Sequence, residues 1–407
     1  MDSGWIDYRT AVLYHIMVSW RAPAMRRQLR QEEDHDVLNT IELFNYRGFE
    51  YYQVAGLSRV NLFVGRNNCG KTSILEAINI LASGGDPAVM VDIAERRGEV
   101  VLSESDERFA GPKRSPVLSH FFFGHSIQPG RALRVASRDG LGEVVVRVVD
   151  MSDEAELGRQ RLLDLDEPTA TALGLYIEGS RHAAGIVSPV IPMSDEGAVS
   201  TDTVRRLVRG GRYEGDGPTA VTFISPDSLE QYSMSGMWNK VILQGRETEV
   251  VTAMRILEPQ LTSIHFLTGG PRYGGSAGIL VGLKGIKERA PLGSYGDGMR
   301  RLLALSVALI RTAGGCLLLD EIDTGLHYSV MGDMWRLVVS AAIRSNVQVY
   351  ATTHSLDCIQ GLRWLSRNHP ELYDDVTVHK IEPKLEHSVP LTGHRLLMAV
   401  EQEMEIR

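Results

Sequence analysis

Residues 65–77 read GRNNCGKTSILEA. Gly65, Gly70, Lys71 and Thr72 fit G-x-x-x-x-G-K-[ST], a loop that wraps phosphate. The flanks support it. Val60-Asn61-Leu62-Phe63-Val64 is apolar and β-prone, and Ile74, Leu75, Ala77, Ile78 and Leu81 recur at helical spacing. The pattern therefore predicts a strand, a tight turn and a helix N-terminus. There the backbone N–H groups of Asn67, Asn68, Gly70 and Ser73 and the positive end of the helix dipole would meet an anion. Lys71 would reach the β- and γ-phosphates of a nucleotide, and the Thr72 hydroxyl would ligate Mg²⁺.

A second half of a site lies far downstream. Cys316-Leu317-Leu318-Leu319 runs into Asp320-Glu321, four apolar residues and then two acids. A buried parallel strand of this kind presents carboxylates at its C-terminal edge, where ligands of such sheets bind. Asp320 would hold Mg²⁺ and Glu321 would polarise an attacking water as general base. Gly293-Ser294-Tyr295-Gly296-Asp297-Gly298 stands at the start of a helical run through Leu302, Leu303, Leu305 and Leu309, and makes a second anion cradle. Two cradles for one nucleotide suggest that each serves a different copy of the chain. Val347–Thr353 reads as a strand ending in His354, placed to sit beside the γ-phosphate, and Asp323-Thr324-Gly325 as a turn after the acids.

The 407 residues are 43% hydrophobic and 23% charged, the balance of a soluble globular protein. A formal charge of -8 argues against a surface that is basic all over, so any DNA contact needs a local patch, with Arg205, Arg206, Arg209 and Arg212 the candidate. A solvated basic loop is the plainer reading of those arginines. Cys69, Cys316 and Cys358 are scattered without C-x-x-C spacing, which fits a reducing cytoplasm and neither a disulfide framework nor a zinc site. No apolar run reaches the roughly 18 residues of a membrane span. Asp153, Glu154 and Glu156 lie in a polar segment and read as a solvated face.

Along the chain, residues 1–36 read as an extension expected to be poorly ordered, with Met25 an alternative start. Residues 37–87 form the first part of an α/β P-loop NTPase core. Two strands are expected there, Thr40–Tyr46 and Leu57–Val64, joined by a turn at Arg47-Gly48. Residues 88–218 read as an inserted α+β lobe, and 219–407 as the second part of the core, the whole a mixed-sheet fold.

Taken in order, GRNNCGKT, GSYGDG, LLLDEIDTGLH and ATTHS, with NYRGF at 45–49 and RVNLFVGRNN at 59–68, resemble the ABC-type ATPases of the RecF/SMC/OLD group. The likeness is greatest to stand-alone AAA-family proteins related to the ATPase half of OLD nucleases. It covers roughly residues 39–84 and 219–407. It implies an ATPase that uses ATP and Mg²⁺ and forms a homodimer or higher homo-oligomer on ATP. It also implies that Arg47 contacts nucleotide, that Ser294 and Gly296, with Gly298 in the same motif, bind the γ-phosphate of the opposing subunit, and that Asp323 lies at the dimer seam. The serine motif departs from L-S-G-G-Q, and the glutamine loop has no clear place, Gln128 being a weak candidate. OLD nucleases carry a Toprim domain after the ATPase half. Only residues 355–407 follow His354 here, so a nuclease is expected on a separate chain. The favoured function is a cytoplasmic ATPase in DNA repair, DNA maintenance or antiphage defence. The alternatives are an ATP-gated scaffold that does not hydrolyse, disfavoured by the intact Lys71, Asp320 and Glu321 set, and a transporter nucleotide-binding subunit, disfavoured by the long insertion.

Overall fold

The computed structural model describes residues 38–103, 113–139, 141–152, 173–179, 190–209, 219–226, 231–267 and 278–392. The expectations for residues 1–36, for Arg212 and for the 153–156 acids fall outside them. The chain opens with β1 (Thr40–Tyr46), β2 (Phe49–Ala55) and β3 (Val60–Val64), and the phosphate-loop motif leads from β3 into α1 (Lys71–Ala82). There follow α2 (Pro87–Arg96), β4 (Val100–Ser103), β5 (Lys113–Pro116), β6 (Ala132–Ser137), β7 (Glu143–Asp150), β8 (Leu173–Gly179), β9 (Ile191–Met193) and α3 (Thr201–Arg209). Next come β10 (Val221–Ile224), α4 (Gln231–Leu243), α5 (Glu247–Met254), β11 (Leu261–Phe266), β12 (Ile279–Leu283) and β13 (Ala290–Pro291). The last part holds α6 (Asp297–Arg311), β14 (Cys316–Leu319), α7 (Met331–Arg344), β15 (Gln348–Thr352), α8 (Leu356–Asn368), β16 (Val376–Lys380) and β17 (Val389–Thr392).

Two six-stranded sheets organise the chain. One is antiparallel, in the order β2-β1-β6-β7-β8-β9, and the other runs β10-β14-β15-β3-β16-β17 and is parallel except at the β16–β17 edge. Helix α1 lies between them, touching β6 and β7 on one side and β10, β14 and β15 on the other, and is buried from Ser73 through Ala82. The two-residue period of a strand sorts the parallel sheet into two cores. Phe63, Cys316, Leu318 and Tyr350 face α1 and the antiparallel sheet, while Leu62, Leu317, Leu319, Val349 and Ala351 face α4 to α8. Both faces are thus covered, and β14 reads as an unbroken apolar run for that reason.

Several elements depart from the sequence reading. Arg47-Gly48 turns β1 straight into β2, a strand the reading passed over, with Tyr46 opposite Phe49. Helix α1 ends at Ala82, and a new helix, α2, starts at Pro87. Pro87 sits in the first turn, and the Asp86 side chain accepts the Ala88 N–H at 2.8 Å. The segment read as a basic loop is helical over Thr201–Arg209, with Val204 and Leu207 buried one turn apart. Within 88–218, β6 to β9 extend the sheet that β1 begins, and their apolar side chains share one core with α1.

Candidate nucleotide site

Three neighbouring parallel strands, β14, β15 and β3, end at one sheet edge. Each therefore delivers its motif there. The result is a cleft of about 620 Å³ lined by residues 67–73 of the loop together with Asp320, Glu321, Thr352 and His354. Residues 248 positions apart meet in it, since the Thr72 hydroxyl lies 3.1 Å from both carboxylate oxygens of Asp320.

The loop takes its shape from backbone that few side chains tolerate. Asn68 has φ 60° and Gly70 φ 94°, and a Cβ on Gly70 would run into the Phe49 ring. Lys71 folds its ammonium back onto the loop, donating to the Gly65 and Arg66 carbonyls at 2.8 Å each. A phosphate in the loop would replace those two carbonyls with a charged acceptor.

Thr352, at the end of β15, ties the two acids together. Its hydroxyl donates to Asp320 Oδ1 at 2.6 Å and accepts the Glu321 N–H at 2.8 Å. Glu321 itself has a left-handed φ of 49°, an uncommon conformation for a residue with a Cβ. Its carboxylate accepts from the Thr324 hydroxyl at 3.2 Å and lies 3.5 Å from His354 Nδ1, and both Glu321 and His354 are open to solvent. Asp323 accepts from the Thr353 hydroxyl at 2.5 Å. From below, the fully buried Arg301 donates to the carbonyls of Ser225, Asp320 and Glu321 at 2.8–3.4 Å. Burial pulls the Arg301 guanidinium below its ordinary range, with Asp323, Asp320 and Glu321 opposing that pull.

Arg47 borders the cleft, but its guanidinium is already occupied. It pairs with Glu99 at 2.7 Å and with Glu76 at 2.9 Å, and stacks 4.5 Å above the Phe121 ring. Burial opposes its charge, and Tyr46, Glu76 and Glu99 more than offset that, so its pKa is raised. Arg97 joins from just past the end of α2, donating to Glu76 at 2.6 Å and to the Ser73 hydroxyl at 3.3 Å. Desolvation raises the Glu76 pKa, while Arg47 and Arg97 pull it down.

Ser294, Gly296 and Gly298 lie elsewhere. Ser294 is exposed in a single 3-10 turn, and Gly296, with φ 84°, precedes α6. Gly298 borders a separate 290 Å³ hollow with Tyr295, Gly325, Leu326 and His327. The motif cradle and the phosphate loop of one chain thus open at different places. Of the arginine patch, Arg205 and Arg206 are exposed on α3. No helix among the described residues is long and apolar enough to cross a membrane.

Sequence reading missed Thr352, Thr353, Arg301 and Arg97, and also His120 and His125, which line the same cleft. A polar pair closing an apolar strand, as in ATTHS, is the signal that could have found the two threonines.

Residues 37–107 match the family model described as "AAA ATPase domain", and residues 274–357 match "AAA domain, putative AbiEii toxin, Type IV TA system". The first segment holds the phosphate loop, and the second holds the serine motif, both acids and His354. An "ATP/GTP phosphatase" of Helicobacter pylori is 21% identical over 341 residues, 80% of this chain and 87% of that protein. Among solved structures, an Smc head bound to the C-winged helix domain of ScpA is 13% identical. It covers 89% of this chain and 99% of its own, at a TM-score of 0.46. The SMC head domain of Thermotoga maritima is 15% identical over 88% of this chain and 99% of its own, at 0.38. The matched AAA-type segments carry both halves of the cleft, and they support ATP hydrolysis by this chain.

Proposed function

We propose that this chain hydrolyses ATP in the cleft between α1 and the ends of β14 and β15. The observation that carries the reading is the meeting of Thr72 with Asp320 at 3.1 Å, beside Lys71 on one side and the Glu321–His354 pair on the other. Lys71 would hold the β- and γ-phosphates. Two hard oxygen donors, the Thr72 hydroxyl and the Asp320 carboxylate, suit Mg²⁺, whose charge would offset that building up on the phosphates. Glu321 is the group to take a proton from the attacking water, and His354 is placed to orient the γ-phosphate or that water. The "ATP/GTP phosphatase" relative supports the same chemistry.

The exposed Ser294 and Gly296 cradle, lying away from its own chain's loop, supports a second copy as the partner that uses it. ATP would then be the glue of a homodimer, with Asp323 near the seam. Regulated DNA repair, DNA maintenance or antiphage defence is the role we infer, in a cytoplasmic setting, with a Toprim-like nuclease as a separate chain and DNA held weakly through Arg205 and Arg206. DNA binding of that kind should fall steeply with salt as counterions are released.

The test is turnover of ATP by purified protein. Wild type should release phosphate with Mg²⁺ and leave plasmid DNA uncut. Lys71→Ala should lose nucleotide binding, and Ser294→Arg should lose turnover while still binding nucleotide. Mixing those two variants should restore activity, since each heterodimer keeps one whole composite site. Wild-type turnover by Lys71→Ala would refute the site, and mixtures that form heterodimers without regaining activity would refute the sharing.

A further inference from the structure

Part of the cleft lining comes from a short loop, Ser119–His125, whose sequence is SHFFFGH. Two of its phenylalanines, Phe121 and Phe122, are fully buried. Phe122 bridges to Tyr46, and the Phe121 carbonyl accepts the Arg47 N–H at 2.8 Å, so the middle of the loop is fixed to β1. Its chain then reverses through two left-handed residues in a row, Gly124 at φ 72° and His125 at φ 57°. That reversal brings His125 back against His120.

The two rings meet through the same atom. Nδ1 of His120 and Nδ1 of His125 are 3.2 Å apart, the ring centroids are 4.9 Å apart, and the planes cross at 77°. A linear hydrogen bond and a shared ion would set the two rings at different distances. In a linear N–H···N bond the two nitrogens point at each other. Ring centres then sit farther apart by two ring radii of about 1.15 Å, giving about 5.5 Å. If instead both lone pairs converge on one metal ion at about 2.05 Å, the 3.2 Å separation sets an angle of about 103° at the metal. The centroids then fall about 5.0 Å apart, which is close to the 4.9 Å observed. An angle near 103° is also close to tetrahedral.

We propose that His120 and His125 chelate a borderline divalent transition metal, such as Zn²⁺, Co²⁺ or Ni²⁺, through their Nδ1 atoms at the wall of the cleft. Imidazole is the ligand type that suits these ions, whereas the oxygen donors of Thr72 and Asp320 suit Mg²⁺. Among the described residues no third His, Cys, Asp or Glu joins the pair. The remaining positions belong to water or to a phosphate oxygen held in the same cleft. An open site of two histidines is one for a regulating ion, whose affinity in the nucleotide-free chain is set by the pair. The proposal does not rest on ATP hydrolysis, because the pair is complete without nucleotide.

Zn²⁺ and Co²⁺ titrated into the nucleotide-free full chain, followed by calorimetry and by the visible absorption of Co²⁺, provide the test. Wild type should bind one equivalent more than His120→Ala or His125→Ala does, or bind its tightest equivalent at least tenfold more strongly. The tetrahedral Co²⁺ spectrum should weaken in each variant. His125→Cys, which supplies a thiolate in place of the imidazole, should keep the bound equivalent. Should an alanine variant melt early without metal, His120→Asn takes its place, since both side chains reach solvent. Equal stoichiometry, affinity and Co²⁺ spectrum in wild type and variants would overturn the proposal and leave the pair as a hydrogen bond only.

Discussion

Thr352→Val removes one oxygen and keeps a branched side chain of nearly the same volume. The residue is 1% exposed, so water does not replace what the oxygen did. The Glu321 N–H that bonded it at 2.8 Å is left without that acceptor, which costs about 1–3 kcal/mol. The 2.6 Å bond to the Asp320 carboxylate also goes, and hydrogen bonds to charged groups contribute about 1.5–3 kcal/mol. Asp320 is only partly buried and keeps its contact with Thr72, so the second loss belongs at the low end of its range. The two together predict a loss of about 2.5–4.5 kcal/mol in unfolding free energy. Urea denaturation measures it, with an unchanged slope showing that the unfolded state is not what moved. Turnover should fall as well, by more than tenfold, because Glu321 sits in a left-handed conformation that Thr352 helps to hold. Thr352→Ser keeps the hydroxyl and should retain most of the stability and most of the rate. A valine variant within about 0.5 kcal/mol of wild type and equally active would show that this hydroxyl organises nothing.

Glu321→Gln should bind ATP normally and turn it over about 10²–10⁴ times more slowly, with the dimer accumulating in the presence of ATP; equal rates in a phosphate-release assay would remove Glu321 as the base. Gly70→Ala should destabilise the chain by more than the roughly 1–2 kcal/mol of a left-handed residue, since its Cβ also meets the Phe49 ring, and nucleotide binding measured by fluorescence titration should be lost. His379 is buried beneath Phe63, and burial pushes its pKa down to about 3 from an unfolded value of 6.5. Between those values the unfolded chain binds more protons, so the stability present above pH 6.5 is lost as pH falls, by up to about 1.4 kcal/mol per unit. His379→Leu should therefore flatten the decline of urea midpoints between pH 6.5 and 5, and parallel declines would refute the assignment.

The parallel core was legible because burial on both faces leaves its mark in composition. Val60–Val64 and Cys316–Leu319 are apolar at every position but Asn61, and each leads into residues of the candidate site. Strand β2 carries a weaker signal. FEYYQVA buries Phe49, Tyr52 and Val54 but leaves polar residues between them, so the Arg47-Gly48 turn reads as a link to a later strand. Helix α3 was hidden by charge, since arginines surround the Val204 and Leu207 pair that anchors it. Arg301 shows the same limit from the other side. Its neighbour Arg300 is exposed, and nothing local distinguishes the two. What buries Arg301 is a set of carbonyls 19 to 76 residues away that have spare lone pairs at the strand ends.

Arg47 is the residue for which a motif and its surroundings point in different directions. The resemblance of NYRGF implies a nucleotide contact, and the structure does set Arg47 on the border of the cleft. Its guanidinium, however, is ion-paired with Glu99, 52 residues on, and with Glu76 on α1. A phosphate competing for Arg47 must displace a two-point pair with Glu99, at 2.7 and 3.2 Å, and leave a carboxylate behind. Arg97 can take up only part of that charge, because it already serves Glu76 and Ser73. If Arg47 is a nucleotide contact, Glu99 is its restraint, and Glu99→Gln should tighten ATP binding by weakening the pair. If Arg47 is a structural clamp, the same substitution should lower stability and leave ATP affinity alone. Nucleotide titration and urea denaturation of that one variant separate the two roles, and the ion-pair geometry favours the clamp.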